Sequence, residues 1–195
     1  MKKIALLVGM LAVSLCSLAQ LTVENTLTVE QYVQDVLLGQ NVSVSNITYN
    51  GQPASQVLMQ IGYFQCDDCA LGMSSGFMMS TGDAANSAGP NDGLETANLA
   101  ISGVNDPDLS AVVTQAGSNP NLFDYSVIEF DFVPLGDSIR FNYIWASEEY
   151  SDFVTDGPTN FNDFFGFFLS GPGLAGPYTN GAVNLAVIPG TNIPV

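Results

Sequence analysis

Ile128-Glu129-Phe130-Asp131-Phe132-Val133-Pro134-Leu135-Gly136-Asp137-Ser138-Ile139-Arg140-Phe141-Asn142-Tyr143-Ile144-Trp145 is the stretch whose reading decides the fold. Ile128, Phe130 and Phe132 alternate with Glu129, Asp131 and Val133. A period of two puts the first set on one side of a strand and the second on the other. Pro134-Leu135-Gly136-Asp137 has the residue types of a turn. Beyond it Ile139, Phe141, Tyr143 and Trp145 alternate with Arg140, Asn142 and Ile144. The pattern predicts a hairpin with one aromatic face.

Downstream, Phe164 to Leu169 is apolar on both faces, as in a covered strand, and Val183 to Ile188 follows a Gly/Pro-rich loop. Upstream, Val42, Val44 and Asn46 alternate with Ser43, Ser45 and Ile47 before the turn signal Asn50-Gly51, and Gln56 to Phe64 and Gly76 to Thr81 are further short apolar runs. One helix is legible near the N-terminus. Thr28 is its cap, Gln31 stands at the capping-box position, and Val29, Tyr32, Val33, Val36 and Leu37 share a broad face up to Gly39. These elements predict a mainly β fold, a jelly-roll-like β-sandwich with one short N-terminal α-helix. The segment from Gly82 to Asp124, rich in Gly, Asn, Ala and Asp, reads as a long loop of the functional or poorly ordered kind.

The 195 residues suit one domain, and at 47% hydrophobic and 10% aromatic they are too apolar for a solvated acidic tail. Nineteen acidic side chains face three basic ones, with no histidine, for a formal net charge of −16. Two of the bases are Lys2 and Lys3, and every acid follows position 20, so Arg140 is the single cation of the remaining chain. Such a balance excludes nucleic acid as a partner, since displacing counterions from phosphates requires Lys and Arg. The missing imidazole excludes Ser-His-Asp and Cys-His chemistry and histidine-ligated zinc within the chain.

Met1-Lys2-Lys3, the apolar run from Ile4 to Leu15, and Ser17 and Ala19 before Gln20 have the order of a secretory signal. Residues 1–19 are therefore expected to be removed, leaving 20–195 as the domain. The apolar run is shorter than the ~20 residues of a spanning helix, so a secreted or cell-surface chain that does not cross the membrane is expected. Cys16 leaves with the signal, and Cys66-Asp67-Asp68-Cys69 remains. Its two carboxylates oppose a reactive thiolate, and two cysteines cannot make a four-thiolate zinc site. A structural disulfide between Cys66 and Cys69 is the expectation in an oxidising compartment.

Two strings match enzyme motifs and fail on context. Gly72-Met73-Ser74-Ser75-Gly76 fits a nucleophile elbow that needs a histidine, and Gly171-Pro172-Gly173-Leu174-Ala175-Gly176 fits a dinucleotide fingerprint but runs into Pro177 instead of a helix. Glu148 and Glu149, beside Trp145 and Tyr150, form a carboxylate pair that could join Asp163 in glycan cleavage. Neighbouring residues of a regular strand point to opposite faces, which weighs against a shared cleft. Calcium would relieve the mutual repulsion of the acids, taking about six to eight oxygens. Asn105, Asp106 and Asp108 form one candidate cluster, and Asp152, Asp156, Asn162 and Asp163 another.

Phe141-Asn142-Tyr143-Ile144-Trp145-Ala146-Ser147-Glu148-Glu149-Tyr150, and then Phe161-Asn162-Asp163-Phe164-Phe165-Gly166-Phe167-Phe168-Leu169-Ser170-Gly171-Pro172-Gly173, resemble the choice-of-anchor L domain, a family common in Bacteroidetes. Gly76 to Gly82 with Asn86 to Asn91, Asp124 to Asp137 and Asn184 to Thr191 are similar to other segments of that family. Trp145 stands where the family usually has phenylalanine. The resemblance implies a secreted or surface module found beside various anchoring or sorting signals, often in adhesin-like proteins, and brings no catalytic residues with it. It also implies further strands and an anchor or sorting tail beyond Val195, so the domain is expected to be incomplete at its C-terminal end. The expected function is a non-catalytic module for adhesion or surface assembly, holding an extracellular glycan or surface protein at Glu148, Glu149 and Tyr150. A glycan-cleaving enzyme and a purely structural spacer are the alternatives.

Overall fold

The computed structural model describes residues 21–38, 42–67, 70–89, 106–147 and 163–195. The chain is mainly β. Among the described residues, two three-stranded antiparallel sheets and one two-stranded sheet are joined by short helices. The first sheet is β1 (Thr22–Glu24), β4 (Ile61–Gln65) and β5 (Ser75–Met79), with β4 in the middle. In the second, β2 (Ser43–Tyr49) lies between β3 (Gln52–Pro53) and β6 (Ile128–Val133). β7 (Phe168–Leu169) pairs with β8 (Val183–Asn184).

The predicted helix forms, and its start follows the expected chemistry. α1 (Val29–Gln31) is opened by a complete capping box. The Gln31 N–H donates to Thr28 Oγ1 at 3.2 Å, and the Thr28 N–H donates to Gln31 Oε1 at 3.0 Å. The two remaining orphan amides are met from the side, Val29 by the Gln56 carbonyl at 3.1 Å and Glu30 by the Ala54 carbonyl at 3.0 Å. The winding then widens to a π-helix over Tyr32–Leu37, in place of the α-helix the spacing predicts, with Leu38 N–H reaching back to the Val33 carbonyl.

The core gathers around this helix. Val29, Tyr32 and Val33 pack with Ile61 of β4 and Tyr49 of β2, while Phe77 of β5 and Ile128 and Phe130 of β6 close the edges. Full burial of side chains such as Ile61 and Val33 contributes about 1.5–3 kcal/mol each. Both three-stranded sheets thus share one core. Among the described residues Gln60 is the polar exception, 3% exposed. Its Oε1 accepts the Tyr49 hydroxyl, and its Nε2 donates to the carbonyls of Thr81 and Asp124, both at 3.1 Å.

Four expectations are corrected. β6 is a strand with the predicted alternation, but its partner is β2, not residues 139–145. Side-chain bonds fix that choice. Asn50 exchanges bonds with Val127 (backbone N–H to the carbonyl, and Val127 N–H to Oδ1, both 2.8 Å), and Asn46 Nδ2 donates to Asp131 at 2.7 Å. Second, the β2 alternation breaks at Asn46, which sits at φ 54° where the register shifts between Ser45 and Thr48. The extra residue reverses parity, so Ile47 joins Val44 against the core. Third, strand structure in the stretch read from Phe164 to Leu169 is confined to β7. Fourth, within the span read as a long loop lie a 3-10 helix over Ala84–Ala88 and α2 (Pro107–Gln115). Asp106 caps α2 and Pro107 occupies its first turn, where a missing N–H costs nothing.

Candidate functional site

Residues 138–147 run without strand, turn or bend, and the aromatic face predicted for them is present. Its rings meet those of the 163–167 segment in sequence. Phe141 packs edge-on against Phe167 with centroids 5.0 Å apart, Tyr143 lies 5.5 Å from Phe165, and Trp145 stacks on Phe165 at 5.8 Å and 26°. At the end of the run Ser147 Oγ donates to Asp163 Oδ2 at 3.4 Å. The order is antiparallel, rising from 141 to 147 as its neighbours fall from 167 to 163. Side chains two residues apart share a face, which is why 141, 143 and 145 all meet 165 and 167.

This arrangement is anchored at one end. Asn184 of β8 accepts the Phe167 N–H on Oδ1 at 2.9 Å, and the Leu185 N–H donates to the Phe167 carbonyl at 2.7 Å. Leu169 and Phe168 then pair with Val183 and Asn184. The aromatic rows remain wet. Tyr143 is 46% exposed and Trp145 41%, beside exposed Ile139 and Ile144. Rings of this type supply large contact areas with few rotatable bonds, and a contiguous exposed apolar patch marks an interaction surface.

Of the residues singled out from sequence, Glu148, Glu149, Tyr150, Asp152, Asp156, Asn162, Asn105 and Cys69 lie outside the described residues. Asp163 is brought to the aromatic rows by Ser147. Asp106 and Asp108 are placed in a different role from the loop cluster expected of them. Asp106 Oδ1 accepts the Leu109 N–H at 2.7 Å as the cap of α2. Asp108 Oδ1 accepts both the N–H and the hydroxyl of Thr179 at 2.9 Å, tying α2 to the 3-10 turn Thr179–Gly181. Among the described residues no three acidic, cysteine or histidine side chains stand together as a metal site. Cys66 is disulfide-bonded and 2% exposed, and its partner lies outside the described residues.

Sequence reasoning missed Phe165 and Phe167 as the partners of the aromatic face. Their alternation with Gly166 and Phe168 was a usable signal, masked by apolar residues on both faces. It also missed Gln60, whose partners are distant in sequence. Burial pushes the Tyr49 phenol beside Gln60 above its ordinary value.

Among the described residues, no helix is long and apolar enough to cross a membrane. The family model described as the choice-of-anchor L domain matches residues 21–195. No curated protein and no solved structure matches the chain.

Proposed function

The chain belongs to the choice-of-anchor L domain family, a type of surface-associated, non-enzymatic module, and from that membership we propose that it is an exported adhesion or surface-assembly module. Its holding surface is the aromatic face of Tyr143, Trp145 and Phe165. The observation that carries this reading is the half-exposed ring array itself, paired in register yet open to solvent. A module that only spaced other domains would have no use for unburied tryptophan and tyrosine side by side. Glu148, Glu149 and Tyr150, which follow Trp145 after Ala146 and Ser147 in sequence, would add acceptors for hydroxyl or amine groups of a glycan or protein.

The test is retention of the purified chain on intact cells and on insoluble polysaccharides. Trp145→Ala removes a ring stacked on Phe165 and should cost about 1–2 kcal/mol, roughly 2–8 °C in thermal midpoint, leaving the chain folded, while retention falls at least tenfold. Unchanged retention in both Trp145→Ala and Tyr143→Ala removes the proposed surface. Release of sugar that stops on Glu148→Gln or Glu149→Gln replaces adhesion with catalysis. Calcium belongs to the same proposal. Nineteen carboxylates gain from a counter-ion that binds the folded state, which raises the thermal midpoint by mass action. Equal midpoints in excess calcium and excess chelator remove it.

A further inference from the structure

We propose that the loop joining β7 to β8 is a processing site, cut at the Gly173–Leu174 peptide bond by an extracellular zinc endopeptidase whose pocket takes a large apolar residue after the cut. It rests on the export proposed above, because such an enzyme must meet the folded chain outside the cell, and is independent of the adhesive face. Ser170 to Ala175 are exposed without interruption. A methyl placed at Gly171 or Gly173 meets nothing within 4 Å, so an enzyme cleft has room to close on the tip. Gly173 sits at φ 87°, and the Leu174 N–H closes the turn on the Gly171 carbonyl at 3.1 Å. Drawing the tip out exchanges that surface hydrogen bond for one to water or to the enzyme. The base of the loop is clamped. Gly176 N–H donates to the Gly181 carbonyl at 2.7 Å, and Tyr178 packs on Phe168 with ring centroids 4.8 Å apart. Asp108 holds Thr179, while Phe168 and Leu169 pair with Asn184 and Val183. Exposed loop tips of small residues are where proteolytic nicking concentrates.

Residue types select the enzyme. In Ser170-Gly171-Pro172-Gly173-Leu174-Ala175-Gly176-Pro177 the leucine is the one long side chain, and it is 38% exposed. The stretch holds no charged or aromatic residue, so peptidases that read charge or rings have no handle on it. The Gly171–Pro172 and Gly176–Pro177 bonds are tertiary amides without an N–H, which confines the cut to the bonds between them. A zinc site polarises the carbonyl before the cut and activates a water against it. Gly173, bare of a side chain, lets its carbonyl approach the metal, while Leu174 fills the pocket beyond. Water then adds across the bond. The hydroxyl goes to the Gly173 carbonyl carbon, the C–N bond breaks, and the proton goes to the Leu174 nitrogen. The new carboxylate and ammonium lie in water at the tip, and the contacts at the base are untouched. The piece from Leu174 onward stays seated through β8, yet it carries Asn184, whose Oδ1 holds the Phe167 N–H. Cutting turns that hold from an intramolecular one into one that dilution can undo.

The experiment uses the folded exported chain and thermolysin, a zinc endopeptidase that cuts before large apolar residues, with products read by intact mass. Expected are one piece ending at Gly173 and one starting at Leu174, which run together in size exclusion at high concentration and separate in urea. The rate should lie within about tenfold of that for the same bond in a free peptide of residues 170–178, since the tip alone has to open. Leu174→Asp, at an exposed position, should leave the chain folded and slow the cut at least tenfold, while Leu174→Phe keeps the rate. The thermal midpoint of the nicked chain should fall on dilution, unlike that of the intact chain. A cut after Leu174 instead of before it, a rate more than about a hundredfold below the free peptide's, equal cutting of Leu174→Asp, or pieces that part at high concentration without denaturant would each overturn the proposal. Cutting as expected in a chain that cells do not retain keeps this site and removes the adhesive reading. Retention by cells of a chain that resists the cut does the opposite.

Discussion

Replacing Gln60 by leucine tests whether the two larger sheets are joined by a polar cross-link as well as by apolar packing. The glutamine is almost fully buried, and its amide accepts from Tyr49 and donates to two carbonyls. Leucine keeps most of the volume and removes all three bonds. The Tyr49 hydroxyl, on a residue 7% exposed, then loses its acceptor and keeps only the neighbouring Ser126 and Asn50 side chains, a loss of about 1–2 kcal/mol. The Thr81 and Asp124 carbonyls lie nearer the surface, where water replaces part of each bond, so roughly 0.5–1 kcal/mol apiece is lost. Gln60→Leu should therefore destabilise by about 2–4 kcal/mol in urea unfolding, a fall of roughly 5–15 °C in thermal midpoint for a chain of this length. Adding Tyr49→Phe removes the hydroxyl that has lost this acceptor, and the double variant should be less damaged than the two single losses added, by about 1 kcal/mol. A loss below about 1 kcal/mol for Gln60→Leu, or strict additivity with Tyr49→Phe, would refute the reasoning.

Alkaline stability follows from the same pair. Burial holds the Tyr49 proton above its ordinary value, so its contribution to stability should be flat below about pH 10 and fall as pH rises from there through the folded value, because only the unfolded phenol ionises readily in that window. Tyr49→Phe should remove its share of that slope in pH-dependent urea titrations. Thr28→Ala and Gln31→Ala each strip one side of the capping box and should cost about 1 kcal/mol apiece, with a double variant well short of the sum. Asp108→Ala frees the Thr179 amide and hydroxyl and should cost about 1–2 kcal/mol; a loss that vanishes in chelator would mean the carboxylate serves a cation instead. A methyl at Gly176 would lie 1.8 Å from the Ala182 carbonyl oxygen, whereas one at Gly171 meets nothing within 4 Å. Gly176→Ala should thus destabilise by about 2 kcal/mol or more and Gly171→Ala by less than about 1 kcal/mol, read as thermal midpoints.

What was legible in the sequence was chemistry that acts within a few residues. Thr28 and Gln31 recognise each other across one turn, so their capping box follows from spacing alone. Asp106-Pro107 carried an equally local signal for the start of α2, but the neighbouring acids invited a reading as cation ligands and the helix was lost in it. Alternation in 128–133 and 139–145 fixed which side chains share a face, and both faces are as expected. Alternation says nothing about which strand lies alongside. That choice was made by Asn46 and Asn50, both in positive-φ conformations and reaching residues 85 and 77 positions away. Gln60 was hidden for the same reason, since its partners stand 11, 21 and 64 residues off. The candidate surface combines both cases. Its aromatic composition is written locally in Tyr143 and Trp145, whereas its geometry depends on Phe165 and Phe167, held by Asn184 from a third segment. A face assembled from three separate segments stays in place only while the fold holds them together. Variants at Asn184 should therefore weaken retention on cells without touching any ring, and if they do not, the rings act singly and the register between 141–147 and 163–167 has no part in binding.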